Sequence, residues 1–448
     1  MTNTRKILKW TAVSTGLVLT AAAAYIGFNS FDCEPPDLTP FTNPFEVPPE
    51  ADNVYCGLIA VTNVVSEQTG LPILTSVFEK HHEAWTKFAA SKQDMTDAEK
   101  DAILAESAKA LALFHEVVQR KVWCAIDPAS GKRLAFPKIN EFLRLCRLVY
   151  LQARRHIERD EIGAAIEDVR DIILLTRKIE NDSESVIRWL VAGGILNYAG
   201  NGVVQRIIKS GKATDEELGR LQDALRQFDI ASRPERVQRM VNNEFTVFFT
   251  EMSNRRSGVP RLRIPFLSSY AYHQNRSWTT YARYLEKIKE GYRLGNDKAA
   301  WDKFEEEFNI AVENSSTWRF GPNFIGRRML LESLPSWRSL GEAIARSDFQ
   351  HHAVETIVAA ARFKRKTGAF PKNLAELVPE FLPAVPRDPY AQGKELKYNA
   401  ESGILWTVGK DGTFNGETVK PRANGYVSYG KYGKNHNYVF NIDGTPVK

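Results

Sequence analysis

Cysteine is scarce in this chain, four residues in 448, and no two cysteines stand at C-x-x-C spacing. That removes the usual basis for a cysteine-held zinc site. The nucleophile elbow G-x-S-x-G and the dinucleotide fingerprint G-x-G-x-x-G are both missing, so neither hydrolase nor Rossmann chemistry has a motif to stand on. The run His115-Glu116-Val117-Val118-Gln119 stops one residue short of H-E-x-x-H, because Gln119 replaces the second zinc ligand. Residues 425–431 fit G-x-x-x-x-G-K, but Tyr432 takes the place of the magnesium-binding Ser or Thr, and the surrounding sequence is β-like. His81-His82 and His351-His352 are adjacent pairs, and neighbours on a helix diverge rather than share a metal. Acid pairs such as Asp302 and Glu306 have the pattern of a solvated helix face. No catalytic residue is therefore assigned, and no cofactor.

What is present is ordinary for a folded protein: 43% hydrophobic and 25% charged residues, with a formal net charge of +6. The length allows a sizeable core and two or more domains. Long apolar sequence occurs at the N-terminus. Arg5, Lys6 and Lys9 precede a stretch from Trp10 to Phe31 with no charged residue. A spanning helix needs about 20 apolar residues, and basic residues stay on the cytoplasmic side. The expectation is a cytoplasmic 1–9, a single-pass inner-membrane anchor at 10–31 and a periplasmic body. The alternative is a signal peptide cleaved near Ala22-Ala23-Ala24, which leaves a periplasmic or secreted protein. Export would place the cysteines where disulfides persist. Local closure pairs Cys33 with Cys56 and Cys124 with Cys146, against the reading that these are free thiols on apolar faces.

Residues 32–52 hold six prolines and predict an extended, stiff linker. A helical domain is expected over 53–257. Its helices are predicted at 53–67, from Thr96 with a capping-box Glu99, at 137–159, 161–180 and 183–210, and after Thr214 with acidic first-turn residues. A further helix is predicted from Pro234. An irregular helical segment at 258–340 follows, broken by glycine and proline, with helices near 269–293 and 297–313. The last part, 341–448, begins with a helix at 348–366, apolar at Val354, Ile357, Val358 and Phe363. Short strands are predicted at 396–398, 404–408, 426–429 and 438–442. The fold class is thus α+β, mostly α: an N-terminal transmembrane helix, an antiparallel helical body and a small C-terminal antiparallel sheet packed on a helix.

Three resemblances attach to particular residues. The pair of helices over 143–180 resembles one tetratricopeptide-like hairpin, although no 34-residue repeat follows it. In the tail, Gly368, Phe370 and Pro371, then Asp388, Pro389 and Tyr390, then Val408, Gly409, Asp411 and Gly412 resemble the turns of type II secretion major pseudopilins. The segments PPEADNVY, FLRLCRLVYLQARRHIERDEIGAAIEDV and GPNFIGRRMLLESLPSW are similar to uncharacterised exported, N-terminally anchored proteins of Gram-negative bacteria. The pseudopilin resemblance implies a separate C-terminal module with few contacts to the rest. It also implies a possible calcium loop, for which Asp411, Asn415 and Glu417 are the available ligands. Three side chains fall short of the six to eight oxygens calcium prefers, and a solvated glycine-rich turn is the alternative. The prepilin peptidase signal is missing, so the chain is not a filament subunit by that route.

Residues 255–294 carry nine Lys/Arg against two Glu. Arg255, Arg256, Arg261, Arg263, Arg276 and Arg283 are interleaved with Tyr270, Tyr272, Trp278 and Tyr281, a composition that suits an anionic lipid headgroup or a glycan. Export argues against nucleic acid as the partner. The competing explanation is internal pairing with 296–313, which carries six acids and two Lys. The functional expectation is a membrane-anchored extracytoplasmic scaffold or adaptor of the cell envelope whose partners are the membrane and another envelope protein. The alternatives are an envelope-polymer hydrolase and a lipid- or glycan-binding module on 255–294.

Overall fold

The computed structural model describes residues 15, 17–26, 29, 31–37, 39, 46–66, 69–89, 94–126, 138–181, 186–196, 202–227, 235, 238–243, 270, 272–293, 303, 306, 322–327, 335–391, 394–408 and 439–444. Over these the protein is mostly helical with a small three-stranded antiparallel sheet. The chain divides into two compact units. One takes 1–43, 238–294 and 299–339; the other takes 44–237, 295–298 and 340–448.

In the second unit α1 (Val54–Thr62) is capped by Asn53, whose side chain accepts the Tyr55 N–H at 3.0 Å. Helices α2 (Ile73–Lys80) and α3 (His82–Ala89) follow. They carried no expectation, and Phe78 stacks on Trp85 across them, ring centroids 4.5 Å apart. Helix α4 (Asp97–Val118) opens as expected on a capping box: Glu99 accepts the Thr96 N–H at 2.7 Å, and Thr96 accepts the Glu99 N–H at 3.3 Å. Helices α5 (Ile139–Glu158) and α6 (Ile162–Asn181) form a hairpin. Its turn places Asp160 at φ 64°, a conformation that a short polar side chain tolerates. Where a single helix was expected over 183–210, α7 (Val186–Ile195) and α8 (Gly202–Ser210) stand as two. Helix α9 (Asp215–Arg226) repeats the capping box with Thr214 and Glu217. Helix α6 is the hub of this body, packing on α4, α5, α7, α8 and α9.

Helix α10 (Gln274–Arg293) belongs to the first unit. The Asp32 carboxylate accepts the N–H groups of Asn275 (2.7 Å) and Arg276 (2.9 Å) at its start, an anion where a helix presents unpaired donors. The beginning of the proline-rich linker is therefore attached to α10. In the same unit residues 17–26 are helical, with Leu17, Val18 and Leu19 exposed. Among the described residues no helix is long and apolar enough to cross a membrane; residues 10–14, 16, 27, 28 and 30 of the expected anchor lie outside them.

Helix α11 (Pro335–Thr367) is longer than the predicted 348–366. Pro335, read as a breaker, occupies its first position, where proline is tolerated. Gly368 ends it at φ 86°, a left-handed conformation that favours glycine. Strands β1 (Lys397–Asn399), β2 (Ile404–Trp406) and β3 (Val439–Asn441) pair in that order, with Tyr398 opposite Leu405 and Leu405 opposite Phe440. Val354, Ile357 and Val358 of α11 share one hydrophobic core with Leu396, Leu405, Phe440 and Ile442. The expected strand at 426–429 lies outside the described residues.

That same core runs on into the helical body, from Val54 through α4, α5, α6, α8 and α9. The expectation of few contacts between tail and body is thereby corrected. Arg362 forks onto Asp215 at 2.9 and 3.1 Å, and Arg226 reaches the Phe381 carbonyl at 2.7 Å. A Cβ added to Gly444 would lie 2.4 Å from the Gln205 carbonyl oxygen of α8. The turn-rich tail seats its own helix and also the flank of the body, because α11 is apolar on more than one face.

Candidate functional site

Helix α6 carries Asp168 and Asp171 one turn apart, and both sit in the stripe that faces the core, beside Ile172 and Leu175. A carboxylate there needs partners, and the neighbouring helices supply them. From α4 come His115 and Gln119, four residues apart on one face. His115 Nδ1 lies 2.6 Å from Asp171 Oδ2, and Gln119 Nε2 donates to Asp171 Oδ1 at 2.7 Å. The other nitrogen of the same ring, Nε2, lies 3.4 Å from Asp168 Oδ1. From α5 comes His156, with Nδ1 3.0 Å from Asp168 Oδ2 and Nε2 3.7 Å from Glu161. Two turns further along α6, Lys178 donates to the carbonyl oxygens of Val118 (2.7 Å) and Arg120, at the end of α4. A line of acidic and basic side chains thus joins three helices.

The electrostatics follow from burial and pairing. Burial opposes the charged His115 ring, but the hydrogen bond to Asp171 and the charges of Asp168 and Asp171 outweigh it and raise its pKa. Burial also raises the Asp168 carboxyl, against the pull of His156 and His115. Desolvation lowers Lys178 to about 8, assisted by Arg177 and opposed by Asp171. Each ring nitrogen of His115 and His156 faces a carboxylate, so no ring lone pair is turned toward a substrate; at His115 this pairing favours imidazolium. A general base requires that lone pair. No Ser, Thr or Cys side chain hydrogen-bonds either ring among the described residues. The arrangement can bind helices together in a protonation-dependent way; it is not arranged to activate a nucleophile.

A pocket of about 240 Å³ opens beside Asp171, lined by Gln119, Glu167, Arg170, Leu174 and Gln227 among others. It is below the volume range of drug-sized ligand sites, and Glu167 and Arg170 already pair with each other at 2.5 Å. No group of three or more metal-ligating side chains occurs among the described residues.

The sequence directed attention to His115 and Gln119 as a failed zinc motif. The structure brings both to Asp171. Asp168, Asp171 and His156 were missed; the available signal was two acids placed within the apolar periodicity of α6.

The other expected sites fare differently. Arg255, Arg256, Arg261 and Arg263 lie outside the described residues, as do Asp411, Asn415 and Glu417. Within the basic-aromatic segment, Arg276 and Arg283 are exposed and Tyr272 is half-buried, while Tyr270, Trp278 and Tyr281 are buried. Trp278, Tyr281 and Tyr284 of α10 are therefore packed inward. Of the four cysteines, Cys33 is exposed and Cys56, Cys124 and Cys146 are buried. Cys33 is exposed in the first unit, its Sγ 3.8 Å from Thr279 Oγ1. Cys146 is enclosed in the main core, where burial pushes its thiol up to about 12. Cys124 lies in a separate small cluster with Cys56 and Ile126. Of the expected partners, Cys124 and Cys146 belong to different hydrophobic clusters. Comparison with family models, with curated proteins and with solved structures finds no match to this chain.

Proposed function

We propose that the protein is a scaffold or adaptor of the cell envelope, tethered by its N-terminal apolar segment, whose helical body binds another envelope protein. The observation that carries this reading is the engagement of both ring nitrogens of His115 and of His156 with carboxylates. The acid–histidine cluster then serves to hold helices together, and neither of its rings is turned outward as a hydrolase's base would be. Leu17, Val18 and Leu19, each about two-thirds exposed, fit burial in a bilayer, which would remove that apolar surface from water. The resemblance of the tail to pseudopilins adds a surface of the kind used in envelope assemblies.

The test is proximity labelling in the native host with a labelling enzyme fused after Lys448. The adaptor reading predicts that a small, reproducible set of envelope proteins is labelled above an anchor-only control, and that the set is unchanged in His115→Gln. Labelling of cytoplasmic proteins would overturn the topology. Release of soluble product from envelope glycan by the purified full chain, abolished in Asp168→Asn, would replace the adaptor with a hydrolase.

A further inference from the structure

Residues 122–126 return to the N-terminus of α1 after a long excursion through α2, α3 and α4. The Val54 N–H donates to the Val122 carbonyl at 2.8 Å, and the Val122 N–H donates to the Asp52 carbonyl at 3.0 Å. Asn53, besides capping α1, takes both peptide groups of Cys124 on its side chain: Nδ2 donates to the carbonyl oxygen at 2.8 Å, and Oδ1 accepts the N–H at 3.0 Å. The same Nδ2 lies 3.3 Å from Cys56 Sγ. The two cysteine segments are therefore held by one amide.

Side chains along 123–126 alternate, as in any extended segment. Trp123 and Ala125 enter the main core, where Trp123 meets Tyr55 edge to face at 5.5 Å. Cys124 and Ile126 turn to the other side and form, with Cys56, a small cluster apart from that core. Both thiols are buried, Cys56 at 7% and Cys124 at 4% exposure. Cys146 is on the main-core side of this segment and does not compete.

From this geometry we infer that Cys56 and Cys124 are a disulfide pair that locks the start of the helical body to the segment following α4. The oxidant is a disulfide donor, a small-molecule or a protein disulfide. One cysteine thiolate attacks a donor sulfur, forming a mixed disulfide and releasing one donor thiolate. The second thiolate attacks the protein-bound sulfur, closing the Cys56–Cys124 bond and releasing the other. The two protons lost by the cysteines are taken up by the two donor thiolates, so the donor disulfide is reduced by two electrons as the pair is oxidised. Burial raises the Cys56 thiol and disfavours its thiolate, so the exchange belongs to folding, before the cluster closes. The pairing rests on geometry alone; its oxidised state in the cell rests additionally on the exported topology proposed above.

The test is peptide mapping of the full chain in detergent without reductant, on material alkylated at lysis from the native host and on the same protein refolded with oxidised glutathione. The expected result is a Cys56–Cys124 linked peptide in both, with Cys33 alkylated and Cys146 alkylated only after denaturation. Dithiothreitol should lower the melting temperature of wild type and leave a Cys56→Ser/Cys124→Ser double variant unmoved. The mapping needs no variant and stands if that variant fails to fold. A link in refolded material with free thiols in cell-derived material supports the pair and overturns export. Cys56 and Cys124 both alkylated after glutathione refolding, or either linked to Cys33 or Cys146, overturns the pair.

Discussion

Single residues in this protein answer to neighbours far away in sequence. Asp168 and Asp171 are legible as helical residues, yet their meaning depends on His115 and His156 arriving from two other helices, and no local pattern encodes that. Gly444 shows the same dependence at the backbone. It sits at φ 75°, and an added Cβ would meet the Gln205 carbonyl oxygen at 2.4 Å and Ile208 Cβ at 3.1 Å. Gly444→Ala therefore combines a left-handed backbone with a clash against main chain, and is expected to destabilise by more than about 1 kcal/mol. A denaturant midpoint unchanged from wild type would show that β3 does not close on α8. Strand alternation makes a second assignment. Leu405 is fully buried, whereas its neighbour Trp406, on the opposite face of the strand, is only half-buried. Leu405→Ala should cost about 2–5 kcal/mol, and Trp406→Ala less, by urea unfolding of each variant.

Elements with local signals were the legible part of the fold. Thr96 with Glu99, and Thr214 with Glu217, begin their helices as read, because a capping box is a contact between residues three apart. Replacing either threonine with alanine is expected to cost about 1 kcal/mol, measured as a shift in the denaturant midpoint. The Asp388-Pro389-Tyr390 turn was legible as a turn, but its work was not. The buried Asp388 carboxylate accepts the Tyr390 N–H at 2.8 Å, the Thr407 hydroxyl at 2.5 Å and the Val408 N–H at 2.9 Å. It therefore pins the end of β2, and Asp388→Asn should loosen that strand: amides of 404–408 should exchange with deuterium faster than those of α11. Elements set by tertiary packing escaped the sequence reading. Helices α2 and α3 lack strong start signals and are held by Phe78 on Trp85. The docking of 122–126 on Asn53, some seventy residues back, likewise has no local signal.

At the scale of the whole molecule, body and tail of the second unit share one core, so they should unfold together, and the acid–histidine line through α4, α5 and α6 should set how that unfolding depends on pH. His115 has a folded pKa above its unfolded value of about 6.5. Its contribution is therefore complete below about pH 6.5 and is lost as pH rises through the folded pKa. Lys178 has the opposite sign: its folded pKa of about 8 lies below the ordinary 10.5, so stability from this group rises with pH between those values. Comparing variants isolates the histidine. The most direct measurement is the difference in unfolding free energy between wild type and His115→Gln from pH 6 to pH 9. If the cluster is a clamp, wild type is favoured by about 1–2 kcal/mol near pH 6, allowing for solvent screening at a partly exposed ring, and the advantage shrinks toward pH 9. A difference that is flat, or that grows with pH, would mean that His115 is held neutral. The base that this account denies would then be present.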